Sequence, residues 1–184
     1  SPMGRVKTSG AAANPAGAEE SVTEVLERMV ASADSVRFEA ELTRNPYSVK
    51  TWLGYLRATE ESEGQTWRER RLFYERALRL LPRSYKLWKA YLAECEDAVR
   101  GRWHTSGRAR TLERMFERAL THCSKMPRIW LSYFAVLSKM NRGTATRHAF
   151  DRALRALPIT QHEHIWPKYV EWVAAFGVQK AAMR

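Results

Sequence analysis

Cysteine is nearly missing from this chain: two in 184 residues, Cys95 and Cys123. Both fall inside helical patterns and share no metal-like spacing, which excludes a disulfide framework and points to a reducing interior compartment. No N-x-S/T acceptor site opposes that inference, since Asn45 is followed by Pro46. No apolar run reaches about 18 residues, so no membrane span is expected. The N-terminus has no hydrophobic core of the secretory type. Catalytic signatures are absent too: the sequence has no P-loop, no G-x-G-x-x-G, no H-E-x-x-H and no nucleophile elbow. His162 and His164 are two apart, which on a helix sends them to different sides and reads as turn or cap residues rather than a metal pair. We therefore expect no enzyme, no cofactor, no metal and no small-molecule substrate.

Aromatic residues are plentiful: seven Trp, seven Tyr and six Phe within a chain that is 45% hydrophobic. That is enough to build a core and to exclude wholesale disorder. Their order is the strongest signal. An aromatic, an acid and then Arg-Ala-Leu occurs at Tyr74–Leu78, Phe116–Leu120 and Phe150–Leu154. A Trp with a Tyr three residues on follows each time, as Trp88/Tyr91, Trp130/Tyr133 and Trp166/Tyr169. An earlier pair, Trp52/Tyr55, carries no copy of the first half before it. The four tryptophans stand 36, 42 and 36 residues apart, a period that means stacked helical hairpins. The expected fold is all-α, a right-handed superhelix (solenoid).

Helical spacing supplies the reason. Trp and Tyr at i and i+3 share one face, and the Ala of Arg-Ala-Leu lets a second helix approach that bulk closely. The packing set is thus Trp52, Tyr55, Tyr74, Ala77, Trp88, Tyr91, Phe116, Ala119, Trp130, Tyr133, Phe150, Ala153, Trp166 and Tyr169. All four tryptophans are expected to be largely buried at equivalent positions. The acids Glu75, Glu117 and Asp151 recur with the repeat and are expected to pair with arginines.

In chain order, residues 1–20 are poor in large apolar side chains and read as a disordered tail. Residues 21–44 carry two helices ahead of the repeats, the first opened by a Ser21/Glu24 capping box and the second over 35–44. The array occupies 45–176. Its helices are expected over 48–60, 66–81, from Ser84, over 108–123, 127–139, 144–157 and 163–176, with Thr66/Glu69 a capping box and Pro82 and Pro158 as stops. Residues 177–184 do not look like the partner helix due there. The face of Trp166, Tyr169, Val170, Val173 and Phe176 should therefore stay open and meet another chain or the continuation of its own.

Charge is uneven. Residues 1–44 hold five basic and seven acidic side chains, so residues 45–184 carry about +13 against the whole chain's +11. Such a balance suits polyanions or acidic proteins, and equally suits a solvated face of alternating arginine and glutamate. The basic stretch from Arg100 to Arg110, with Arg102, Trp103 and Arg108, lengthens the second hairpin. It reads either as a connector or as an RNA contact in which Trp103 stacks on a base.

These motifs carry a resemblance. W-x-x-Y followed by the aromatic-acid-Arg-Ala-Leu run looks like the half-a-tetratricopeptide (HAT) repeat, a TPR-like helical hairpin. The match extends to Arg44-Asn45-Pro46, Leu81-Pro82 with Ser84–Trp88, Lys125–Arg128, the run Phe150–Gln161 and Ile165-Trp166-Pro167. Residues 44–172 resemble the N-terminal repeats of the SYF family of pre-mRNA-splicing factors, the xeroderma pigmentosum group A-binding protein family. The resemblance implies a nuclear, non-catalytic scaffold of the spliceosome's nineteen-associated complex, with transcription-coupled repair as a second process. It implies other spliceosomal proteins as partners, including other HAT-repeat scaffolds. RNA binding by the basic stretch 100–110, in another RNA-processing complex, is the alternative.

Overall fold

The computed structural model describes residues 33–61, 66–100 and 107–182. The expected tail and the Ser21 helix lie outside the described residues. Among those described, the architecture is helices without strands: α1 Ala33–Arg44, α2 Val49–Glu61, α3 Trp67–Leu80, α4 Tyr85–Val99, α5 Gly107–Cys123, α6 Pro127–Lys139, α7 Gly143–Ala156, a 3-10 turn Ile159–His164, and α8 Trp166–Ala182. From α1 to α7, each helix packs on the next in the chain, and α2 also touches α4, the helix one hairpin on. This is an all-α solenoid.

Local chemistry sets the boundaries. Ser48 Oγ accepts from Thr51 N at 3.3 Å and caps α2. At α3 the Thr66/Glu69 capping box is complete: Thr66 Oγ1 accepts from Glu69 N, and Thr66 N donates to Glu69 Oε2 at 2.7 Å. Pro127 sits in the first turn of α6, where its missing N–H costs nothing. Between α6 and α7, Asn141 takes a left-handed φ of 55°, a conformation Asn tolerates well in tight turns. Gly54 lets α1 approach α2 closely: a Cβ there would lie 3.2 Å from the Phe38 ring.

One core runs through the array, and Trp52, Trp88 and Trp130 are among its largest enclosed side chains. Cys95 and Cys123 are buried and free. Burial pushes the Cys95 thiol up to about 12.

The last helix departs from expectation in three ways. The expected α-helix over 163–176 is instead a 3-10 turn to His164, followed by an α-helix that continues to Ala182, through residues not expected to be helical. Trp166, expected to be buried, is 49% exposed. Trp follows the motif aromatic by 14 residues at Trp88 and Trp130 but by 16 at Trp166. The added length forms the 3-10 turn, so Trp166 opens its helix, whereas its counterparts stand one turn inside theirs. Ile165 is enclosed, as Leu87 and Ile129 are ahead of Trp88 and Trp130, and among the described residues no helix follows α8 to cover Trp166.

Candidate functional site: a repeated joint and a basic face

Three helices meet at each joint through four kinds of contact. First, the motif aromatic stacks on the Tyr of the following W-x-x-Y: Tyr74 on Tyr91 at 4.8 Å, Phe116 on Tyr133 at 5.3 Å and Phe150 on Tyr169 at 4.6 Å between centroids. Second, the motif acid accepts from that Tyr hydroxyl, Glu75 from Tyr91 at 2.9 Å and Glu117 from Tyr133 at 2.7 Å. Third, each buried Trp donates its Nε1–H to the carbonyl six residues earlier: Trp52 to Pro46, Trp88 to Pro82 and Trp130 to Ser124, all at 2.8–2.9 Å. This satisfies an indole that would otherwise be buried without a partner.

The fourth contact locks the joint. The Arg of Arg-Ala-Leu lies over the Trp of its own hairpin, Arg76 over Trp52 and Arg118 over Trp88 at 5.3 Å, Arg152 over Trp130 at 5.5 Å. The same guanidinium reaches back to the acid of the preceding motif: Arg118 to Glu75 and Arg152 to Glu117, each at 2.7 Å. A flat, delocalised cation can do both at once, which a lysine ammonium cannot. Beneath, Ala77, Ala119 and Ala153 are fully enclosed, the small side chains that let the helices close.

Electrostatics follow the contacts. The Arg152 guanidinium, with the Tyr133 hydroxyl, holds the Glu117 carboxyl below its ordinary range, and Glu117 raises Arg152 in turn. Burial, helped by the adjacent carboxylates, holds the hydroxyls of Tyr74, Tyr91 and Tyr133 above the ordinary phenol range. Tyr74 donates to Glu94 at 2.6 Å, and Arg70 pairs with the same carboxylate.

One member of this set escaped the sequence reading. Arg76 binds Glu39 in a two-pronged pair, at 2.6 and 2.8 Å. Glu39, on α1, therefore takes the place that Glu75 and Glu117 take later. Phe38 stacks on Tyr55 at 5.3 Å, as the later aromatics do. Burial pushes the Tyr55 hydroxyl up to about 12, with Ser35 and Glu39 beside it. The missed signal was Phe38-Glu39-x-x-Leu42, 14 residues ahead of Trp52. It is the first half of the motif without Arg-Ala, so Trp52/Tyr55 does have its predecessor.

Asp151 behaves differently from the other motif acids. Expected to pair with an arginine, its carboxylate has no ion-pair partner among the described residues. One methylene shorter than Glu, it stands 18 residues from Tyr169 instead of the 16 that separate Glu75 from Tyr91 and Glu117 from Tyr133. Trp166, likewise, has no guanidinium over it among the described residues.

The basic stretch is divided by the structure. Arg102 and Trp103 lie outside the described residues. Arg100 is exposed and paired with Asp97 at 2.7 Å. Arg108 and Arg110, expected at the start of the helix over 108–123, are exposed in the first turn of α5. His162 lies in the 3-10 turn with Nε2 3.1 Å from the Leu157 carbonyl oxygen.

Residues 34–184 match the family model described as the N-terminal HAT repeat of the pre-mRNA-splicing factor Syf1/CNRKL1. The chain belongs to that family of splicing factors. The Drosophila melanogaster pre-mRNA-splicing factor syf1 homolog is 45% identical to the Syf1-family chain over 153 residues, which cover 82% of the chain and 17% of the relative. The human pre-mRNA-splicing factor SYF1 is 42% identical over 156 residues, covering 85% of the chain and 18% of the relative. The fission yeast pre-mRNA-splicing factor cwf3 is 41% identical over 150 residues, covering 79% and 18%. The chain thus spans less than a fifth of the length of these three relatives.

Proposed function

We propose that this stretch acts in pre-mRNA splicing as a non-catalytic scaffold of the spliceosome's nineteen-associated complex, in the nucleus, by protein–protein contacts. Other spliceosomal proteins, other HAT-repeat scaffolds among them, are its partners. On the family resemblance, the same scaffold also serves transcription-coupled repair. The observation that carries the reading is the use of the repeated motif: at the joints of Tyr91 and Tyr133 the acid, the arginine, the tryptophan and the tyrosine are spent on one another, and at the joint of Tyr55 the acid, the arginine and the tryptophan are. Such groups build a rigid surface for others to dock on. They are not poised for proton transfer or nucleophilic attack, because the carboxylates are ion-paired and the phenols are held protonated.

The test is affinity purification from nuclear extract with and without ribonuclease. Recovery of spliceosomal proteins that survives ribonuclease supports scaffolding, and a bait that recovers none of them contradicts it. The second reading, direct RNA contact by Arg100, Arg102, Trp103, Arg108 and Arg110, draws support from the exposure of Arg108 and Arg110. It predicts that replacing the four arginines by Ala lowers RNA affinity at unchanged thermal stability and flattens its salt dependence. Unchanged affinity removes it.

A further inference from the structure

The helices that open the hairpins carry a second set of cations, unlike those of the joints. Three open cavities, of about 540, 530 and 440 Å³, meet at Tyr85 at the start of α4. The first lies between α2 and α4, the second between α4 and α6, and the third between Tyr85, the start of α6 and the 3-10 turn. Together they form one groove across successive hairpins. Its floor is apolar, made of Val49, Leu53, Leu131 and the Tyr85 ring, all half-buried. Met126, 43% exposed, extends it toward the 3-10 turn.

Along the groove stand Lys50 and Arg57 from α2, Lys86 and Lys89 from α4, and Arg128 from α6, all exposed. Among the described residues none of these five has an ion-pair partner, whereas Arg70, Arg76, Arg118 and Arg152 all do. The acids of this region, Glu96 and Asp97, sit toward the end of α4, and Asp97 is already tied to Arg100. The Tyr85 hydroxyl itself is enclosed, so Tyr85 offers the groove its ring and not a donor. Half-buried apolar side chains ringed by uncompensated cations ask for a specific occupant. It must bring apolar anchors and carboxylates together.

We propose that this groove holds a short acidic segment of a partner protein, with leucine-like or aromatic anchors on the floor and carboxylates paired to Lys50, Lys86, Lys89 and Arg128. A nucleic acid fits the floor poorly. Bases stack on open aromatic rings, and this floor is aliphatic apart from a half-covered tyrosine. The proposal rests on the scaffold reading and names the chemistry of one partner.

Selection of a random twelve-residue peptide display library on the full 184-residue chain tests it. Enrichment should favour peptides that combine Asp or Glu with Leu, Phe or Trp. In a fluorescence anisotropy titration with one such peptide, the double substitution Lys86→Glu/Arg128→Glu should lower affinity by roughly tenfold or more at unchanged helix content and melting temperature. Val49→Ser, on the floor, should weaken binding independently of charge. Enrichment of peptides without acids, or equal binding by the Lys86→Glu/Arg128→Glu chain, overturns the proposal. Displacement of the peptide by a twelve-nucleotide oligouridine at comparable concentration assigns the face to RNA and overturns it too. The scaffold reading is tested separately: if that double variant still recovers the same spliceosomal proteins after ribonuclease, the groove fails and the scaffold stands. If the unmodified chain recovers none, the scaffold fails whatever the peptides do.

Discussion

Arg76, Arg118 and Arg152 each hold an indole and a carboxylate, while Lys50, Lys86, Lys89 and Arg128, one helix layer away, hold neither among the described residues. Each of these seven cations adds one unit to a net charge of +11. Only one set has its charge spent inside the fold. Net basicity alone therefore says little about a ligand in a repeat protein, because part of an arginine-rich surface can be internal bracing. What locates a binding face is the subset of cations that the chain leaves uncompensated next to apolar side chains.

The largest expected effect lies on the joint side of this comparison. Trp88→Ala removes the platform under Arg118 and an enclosed indole, and should cost about 3–5 kcal/mol in a urea titration. Trp166→Ala, at a 49% exposed position with no guanidinium above it among the described residues, should cost less than about 1 kcal/mol. Equal costs would mean that Trp166 is packed like the others and that the joints do not depend on the stacked arginine.

Next in size is Arg152→Ala, which removes a cation–π contact and strips Glu117 of its partner. We expect a loss of about 1 kcal/mol, modest because the pair is partly exposed. Lys86→Glu in the groove should shift stability by no more than about 0.5 kcal/mol. A larger loss at Lys86 than at Arg152 would reverse the assignment of the two sets.

A smaller effect is a pH dependence confined to the joint. Glu117 has a depressed carboxyl in the folded state, so its contribution is present above the ordinary carboxylate range and lost as pH falls through the folded value. Thermal melts of the unmodified and Glu117→Gln chains should therefore differ at neutral pH and converge in acid. A gap that stays constant down to low pH would show that the Arg152 pair contributes nothing to folding. The smallest effect is alkaline. With its hydroxyl raised to about 12, Tyr55 contributes stability that is full below the ordinary phenol range and is lost as pH rises between about 10 and 12. Tyr55→Phe should remove that portion of the alkaline destabilisation.

Most of the joint was legible because it rests on spacing. Trp88, Tyr91, Phe116, Ala119, Trp130 and Tyr133 sit where a 3.6-residue period and a repeated motif put them. The capping box at Thr66 and the helix start at Pro127 were legible for the same reason, being local chemistry written in consecutive residues. Glu39 was not, since its motif keeps the aromatic, the acid and the leucine but loses Arg-Ala, and only the return of Arg76 across two helices reveals it. Trp166 differs because its counterparts are covered by an arginine from the second helix of their own hairpin, and no described helix follows α8. The groove was invisible for a different reason. Lys50, Lys86 and Arg128 are surface cations on three separate helices, and nothing in the one-dimensional pattern distinguishes them from the arginines that are paired.

If paired cations hold the array together while unpaired ones bind a partner, one selected acidic peptide must separate two chains in a fluorescence anisotropy titration: Lys86→Glu/Arg128→Glu and Arg118→Ala/Arg152→Ala. The prediction is at least roughly tenfold weaker binding by the first chain and unchanged affinity for the second, measured below the lowered melting temperature of the second. Loss of binding in the second chain with none in the first would contradict the account.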